Sequence, residues 1–331
     1  MRLENFLALT HGKLVSEPCV NIFVNTVFNA HKVKRGDLFI AYDLTDIGIA
    51  VENGAYGIVF NGSVDILDAE IAWIEVENLD NAVRRLLRFR MIEKEIVVYE
   101  CNEIILKLAL QIITQPDFIA LKGDLQTVFR SLWNIPDRTT VLFCPDINSR
   151  DIFTEIKTLP KIHTNSIDIM EQTLFETSFI YENTFYERQL ISPFFIPYLE
   201  ELLHLLKSLK INFRLRKFTP IEHFEAVFTN NSFEIKNFGT SDKVLIFEPN
   251  ASLIESEIMF LQERASWADI IFILPSYITC MDNSKIFSYD DEKKIIGILR
   301  ENNFHFALVV GVDRSILNSS LPYQTQLTLD L

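Results

Sequence analysis

The period of the apolar positions changes repeatedly along the chain. Residues 20–28, VNIFVNTVF, are apolar and β-branched and predict a strand; residues 37–42, DLFIAY, predict a second. A short helical pattern begins near Asp46 and stops at Asn53-Gly54, where Gly54 can adopt the left-handed conformation that ends a helix. Residues 57–60 and 72–78 return to strand. NLDNAVRRLLRFRMIEKE then sets Ala82, Val83, Leu86, Leu87 and Phe89 on a helical stripe opposite a basic face. Residues 96–99 predict a strand, 100–102 a turn, and EIILKLALQII an apolar helix with Asn102 as its cap. TTVLFCPDINSRDIFTEIKTLP reads as another strand, turn and helix.

Residues 166–197 carry many aromatics without a clear period, and an amphipathic helix follows from about Pro197. HFEAVFTNNSFEIKNFG predicts a hairpin turning at Asn230-Asn231. KVLIFEP, DIIFILP and FALVVGV predict strands, separated by the helices IESEIMFLQERASWA and DDEKKIIGILREN. Strands alternating with helices define an α/β fold with mostly parallel sheets and ligand space at the strand C-terminal ends. No repeat, low-complexity tract or Pro/Ser-rich linker marks a boundary, so the divisions are soft, near 94 and between 165 and 240, and are taken as 1–94, 95–240 and 241–331.

The chain has 331 residues, enough for more than one core, and its 48% hydrophobic and 23% charged residues fit a folded protein. The net charge of −14 disfavours phosphate backbones, so nucleic acid is not an expected partner. The most basic run, KINFRLRKF at 210–218, reads as a strand with one solvated face. Cys19, Cys101, Cys144 and Cys280 show no C-x-x-C spacing, which excludes the usual zinc and redox motifs. No apolar run is long enough to span a membrane and the first residues lack a signal-peptide core, so the chain is expected to be cytoplasmic.

KVKRGDLFIAY, with its flanks AVENGAYGIVF and AWIEVENLDNAVRRLLRFR, resembles the N-terminal domain of the Mur ligases, in particular the enzymes that add D-alanyl-D-alanine. Lys32, Val33, Gly36, Asp37, Leu38, Phe39 and Ala41 match that family's run, and Gly54-Ala55 match its next element. The resemblance implies a small N-terminal α/β domain (1–94), a central ATPase-like domain (95–240) and a shortened C-terminal segment (241–331). Its departures are as informative. The family's Asp-Ser-Arg triplet reads Asn29-Ala30-His31, and the loop 42–53 is too short for its substrate loop. Where the family carries a Gly-x-x-Gly-Lys-Thr/Ser phosphate loop, this chain has Glu100-Cys101-Asn102, without glycine and flanked by Glu100 and Glu103. Lys107 falls too far into the helix to substitute for the loop lysine. Cys144, Pro145 and Asp146 stand near the family's magnesium-binding Glu. Glu155-Ile156 and Asn250-Ala251 match fragments of later motifs.

By this resemblance, the residues that face a ligand are Asn29, His31, Glu100, Cys101, Asn102 and Gly311. The implied protein is a catalytically degenerate, Mur-ligase-like pseudoenzyme. It would bind a protein or a cell-wall precursor and need no cofactor. The alternatives are an ATP-dependent amide ligase that uses ATP and magnesium at a divergent site, and an unrelated α/β enzyme centred on Cys101, Cys144 and Gly311. Elsewhere, His204 reads as a helix boundary residue. His223 stands beside Glu222 and Glu225 as either an acid/base or metal group or a hairpin entry. Asp290, Asp291 and Glu292 fit the capping of a helix start.

Overall fold

The computed structural model describes residues 1–145, 150–160, 166–241, 243–278 and 285–317. They form two compact units: Met1–Leu106 with Ile113–Pro160, and Lys107–Ile112 with Lys161–Leu331.

The first unit opens with α1 (Leu3–Thr10), β1 (Lys13–Leu14), β2 (Thr26–Val27), β3 (Leu38–Ile40), α2 (Ile47–Glu52), β4 (Gly57–Phe60), β5 (Ala72–Glu75) and α3 (Leu79–Ile92). Its five-stranded sheet has the order β1-β5-β4-β3-β2, parallel except for β1. Both faces of β3 are buried, as its unbroken apolar run requires. Leu38 and Ile40 enter a core with Phe6, Val59, Leu86 and Leu87. Phe39 and Ala41 enter another with Ile58, Trp73 and Ala50 of α2. Each buried Leu, Ile, Val or Phe among them contributes about 1.5–3 kcal/mol of transfer free energy.

The KVKRGDLFIAY turn is pinned from several directions. Gly36 holds φ +98 and donates its N–H to the Gly54 carbonyl at 3.2 Å. Asp37 is buried, and its carboxylate accepts from the Lys34 N–H at 3.0 Å and Asn25 Nδ2 at 3.1 Å. Those bonds also explain why residues 20–28 do not form the long strand their pattern predicts. The Asn21 carbonyl accepts the Leu3 N–H, the Asn25 side chain donates to Asp37, only Thr26–Val27 pair with β3, and Ile22 and Val24 are exposed. Phe89 likewise leaves the predicted stripe of α3: it is exposed, and Met91 takes the buried place.

The unit continues through β6 (Val97–Glu100), α4 (Glu103–Ile112), β7 (Phe118–Leu121), α5 (Leu125–Trp133), β8 (Thr140–Phe143) and β9 (Lys157–Thr158). These four strands form a parallel sheet in the order β7-β8-β6-β9. The helix predicted after β8 is absent among the described residues, where a short 3-10 turn (Arg150–Ile152) leads into β9.

The second unit holds Lys107–Ile112 of α4, β10 (Ile167–Gln172), β11 (Thr177–Tyr181), β12 (Thr184–Gln189), α6 (Ile196–Ser208), β13 (Glu225–Thr229), β14 (Lys243–Glu248), α7 (Ile254–Arg264), β15 (Ile270–Pro275), β16 (Ile286–Tyr289), α8 (Lys293–Glu301) and β17 (Phe306–Val310). The stretch that looked irregular is the antiparallel sheet β10-β11-β12. Its tight turn is Glu182-Asn183, both with positive φ, as two-residue hairpin turns require. The main sheet has the order β13-β14-β17-β15-β16, with β13 antiparallel at the edge and the rest parallel.

The predicted hairpin at Asn230-Asn231 is displaced. β13 pairs with β14, while the segment after the turn makes only a bridge from Ile235 to Thr229. The Asn230 side chain accepts from the Ser232 and Glu234 N–H groups and so folds that segment on itself. Residues 211–217 alternate between half-buried and exposed as the sequence suggests, yet they belong to no strand. Among the described residues no helix is long and apolar enough to cross a membrane.

Candidate functional site

The four-stranded sheet of the first unit places β6 between β8 and β9. The chain leaves β6 through α4 towards β7 on one side and later reaches β9 on the other. Open α/β sheets bind ligands at the strand C-termini where the order reverses in this way. Glu100, Cys101 and Asn102 occupy that position, with Cys144 following β8 on the neighbouring strand.

The turn is two residues long, because β6 ends at Glu100 and α4 starts at Glu103. Cys101 is buried and donates its N–H to the Phe143 carbonyl at 2.9 Å. Asn102 Oδ1 accepts the Ile105 N–H at 2.8 Å. The first turn of α4 is therefore capped by its own side chain and carries Glu103, the charge that the helix dipole favours there. Asn102 thus fills the cap of α4, with Glu100 ending β6 and Glu103 opening the helix. Lys107, inside α4, is buried and pairs with Glu222 at 3.3 Å.

Asn29 and His31 serve local structure beside the five-stranded sheet. Asn29 Oδ1 accepts the His31 N–H at 3.0 Å and starts the 3-10 turn Ala30–Lys32, and both side chains are exposed. Gly311 stands on a different sheet from Cys101 and Cys144, after β17. Its φ is +84, and an added Cβ would lie 2.8 Å from Tyr289 Oη and 2.9 Å from Pro275 Cγ. Its N–H donates to the Glu248 carbonyl at 2.8 Å. Close packing of β14, β15, β16 and β17 thus explains the glycine.

The grouping that sequence reasoning missed lies at the C-terminal end of β14. His223 pairs with Glu248, Nδ1 to Oε1 at 2.7 Å, and both side chains are fully buried. Glu248 also accepts the Asn250 N–H at 2.7 Å and the Phe224 N–H at 3.1 Å. The neighbours first considered for His223 pair elsewhere: Glu222 with Lys107, and Glu225 with Arg314 at 3.1 Å.

Glu257, on the buried stripe Ile254, Glu257 and Leu261 of α7, is fully enclosed. Among the described residues neither of its carboxyl oxygens has a hydrogen-bond partner. Burial, and then the Glu248 carboxylate, push its pKa from 4.5 up to about 11, so it is protonated at neutral pH. The available signals were an acid ending the apolar run KVLIFE and an acid on the apolar face of a helix.

His204 is exposed on α6, and Asp291 caps the start of α8 by accepting the Lys293 N–H at 3.0 Å. Asp146, His163 and Cys280 lie outside the described residues. No cluster of three or more His, Cys, Asp or Glu among the described residues is arranged to hold a metal ion.

These sheets and helices together define a Mur-ligase-like α/β fold. The crystal structure of MurF from Acinetobacter baumannii matches with a TM-score of 0.52 over 93% of this chain and 95% of its own, at 9% identity. MurF ligase from Thermotoga maritima, solved in complex with ADP, matches with a TM-score of 0.51 over 88% of this chain and 94% of its own, at 11% identity. At such identities the likeness is one of fold. No family model matches the chain, and no curated protein matches it significantly.

Proposed function

We propose that this protein uses a Mur-ligase-like frame for binding or scaffolding in bacterial peptidoglycan or envelope metabolism, without nucleotide-driven ligation. The observation that carries the reading is the β6–α4 turn: two residues, no glycine, a cap filled by Asn102, and carboxylates at Glu100 and Glu103. A phosphate loop needs glycines so that backbone N–H groups face the phosphates, and a lysine for the terminal ones. This turn supplies neither. The partner is then a protein or a cell-wall precursor, and the protein works in the cytoplasm without a cofactor.

A second reading, an ATP-dependent amide ligase with a divergent nucleotide site, draws on the same likeness of fold to an enzyme solved with ADP. Calorimetry with ATP and magnesium separates the two. No heat of binding is expected up to millimolar ATP. Saturable micromolar binding, or ADP release with a UDP-muramyl peptide and an amino-acid or dipeptide acceptor, would overturn the proposal.

A further inference from the structure

The second unit carries a cleft of about 450 Å³ beside the first residues of β14 and β17. Phe228, Val244 and Phe306 stand in register across β13, β14 and β17, so their side chains share one face of the sheet. Their chain neighbours Val227, Leu245 and Ala307 point the other way, into the core that includes Ile295 and Leu299 of α8.

Val244 and Phe306 are buried, but the other rings on the wall are not. Phe228, Phe175 of the β10–β11 turn and Phe260 of α7 are half-buried, and Trp267, just past α7, is 73% exposed. The Phe175 ring centroid lies 5.9 Å from that of Phe228 and 6.3 Å from that of Phe306. The Trp267 ring meets Phe306 edge to face at 6.0 Å. Single exposed apolar residues are ordinary on a surface, whereas four incompletely covered rings around one cleft mark a binding surface. The wall is also preformed. The Thr173 hydroxyl accepts the Phe175 N–H at 3.2 Å and the Glu176 N–H at 2.9 Å, which fixes the turn that carries Phe175. Preformed apolar clefts of about 300–1,000 Å³ with few polar groups are the usual sites for small ligands.

One residue sets the charge of the cleft. Arg264 lines it, one helical turn after Phe260 and on the same face of α7. Arg264 is exposed, and among the described residues it makes no ion pair or hydrogen bond. No Asp or Glu stands among the described lining residues. Asp269, two residues after Trp267, pairs instead with Lys285 at 3.0 Å. In a chain of net charge −14, this is an unneutralised guanidinium at an aromatic wall. Its paired N–H donors match the two oxygens of a carboxylate, and its single charge balances that of one carboxylate.

We infer that this cleft binds a small aromatic carboxylate, with the ring among Phe175, Phe228, Phe306 and Trp267 and the carboxylate on Arg264. The inference goes beyond the proposed function and does not depend on the β6–α4 turn, so either can fail alone.

Calorimetry and ¹⁵N NMR on the full chain, with indole-3-propionate and its neutral analogue indole-3-propionamide, test it. The chain has three tryptophans, and Trp267→Phe identifies which indole N–H signal belongs to Trp267. Indole-3-propionate is expected to bind saturably and to shift that signal, and the amide to bind about fivefold more weakly, as loss of an exposed ion pair implies. Arg264→Gln should abolish the preference for the acid. Trp267→Glu removes one wall and adds a repelling charge, and should abolish binding of the acid. Both positions are exposed, and thermal melts establish that each variant is folded. Absence of saturable binding by the wild-type chain, an unmoved Trp267 signal, equal affinity for the two probes, or binding unchanged in the folded variants would each overturn the inference. So would self-association of the wild-type chain that Trp267→Glu disperses, since a second copy would then be the occupant.

Discussion

Glu257 makes a prediction that reports directly on the buried acid cluster. In the unfolded chain its carboxyl titrates near 4.5, whereas in the folded unit burial and Glu248 raise it to about 11. Between these values the folded state holds a proton that the unfolded state has released. Stability therefore falls as pH rises, by up to about 1.4 kcal/mol per pH unit from this one group. From about pH 5.5 to about pH 7.5 the loss reaches up to about 2.7 kcal/mol, a sizeable share of a typical domain's stability. Glu257→Gln replaces a neutral acid with a neutral amide of nearly the same shape, so its direct cost at pH 5.5 should stay within about 1 kcal/mol. Its slope should be flatter than that of the wild type, and above a crossover pH the variant should be the more stable protein. Urea unfolding followed by far-UV circular dichroism at several pH values measures both slopes. Other groups whose pKa is raised by burial, Glu201 among them, contribute to both proteins and cancel in the difference. Parallel slopes for the two proteins would refute a protonated Glu257.

Three further substitutions test the local arguments by urea unfolding. Asn102→Ala removes the cap of α4 and should cost about 1 kcal/mol, with Asn102→Asp restoring most of it. Asp37→Ala leaves the Lys34 N–H and Asn25 Nδ2 without their acceptor in a buried turn and should cost about 2–3 kcal/mol. Gly311→Ala forces a Cβ into Tyr289 and Pro275 at positive φ and should cost about 2 kcal/mol or more; a wild-type midpoint would contradict the packing account.

Much of the frame was legible because its signals are local. GIVF, KVLIFE and DIIFILP are short apolar runs bounded by polar residues or glycine, and each is a strand. Gly54 ended α2 and Asn102 capped α4 as their residue types dictate. Pairing partners were harder to read, because they depend on segments far apart in sequence. The edge strand β13 satisfies its N–H groups on β14, not on the run after Asn230-Asn231, and no local pattern records that choice. The β11–β12 turn was missed because Glu182-Asn183 lacks the glycine that normally marks such turns. In the candidate sites, the glycine-free turn after β6 could be read directly. The His223–Glu248 pair could not, since 25 residues separate its members and nearer carboxylates were plausible partners.

Residues 107–112 have a consequence for how the chain can be divided. They precede the last strands of the first unit in sequence, yet they belong to the second. There Lys107 pairs with Glu222, Gln111 exchanges hydrogen bonds with the backbone of Thr219, and the Ile112 carbonyl accepts the Arg214 N–H. A gene fragment cut after Pro160 would express the second unit without that half-helix. Neither half of the chain is therefore a self-contained module, and during synthesis the half-helix must wait for more than a hundred later residues to leave the ribosome before Thr219 can reach it.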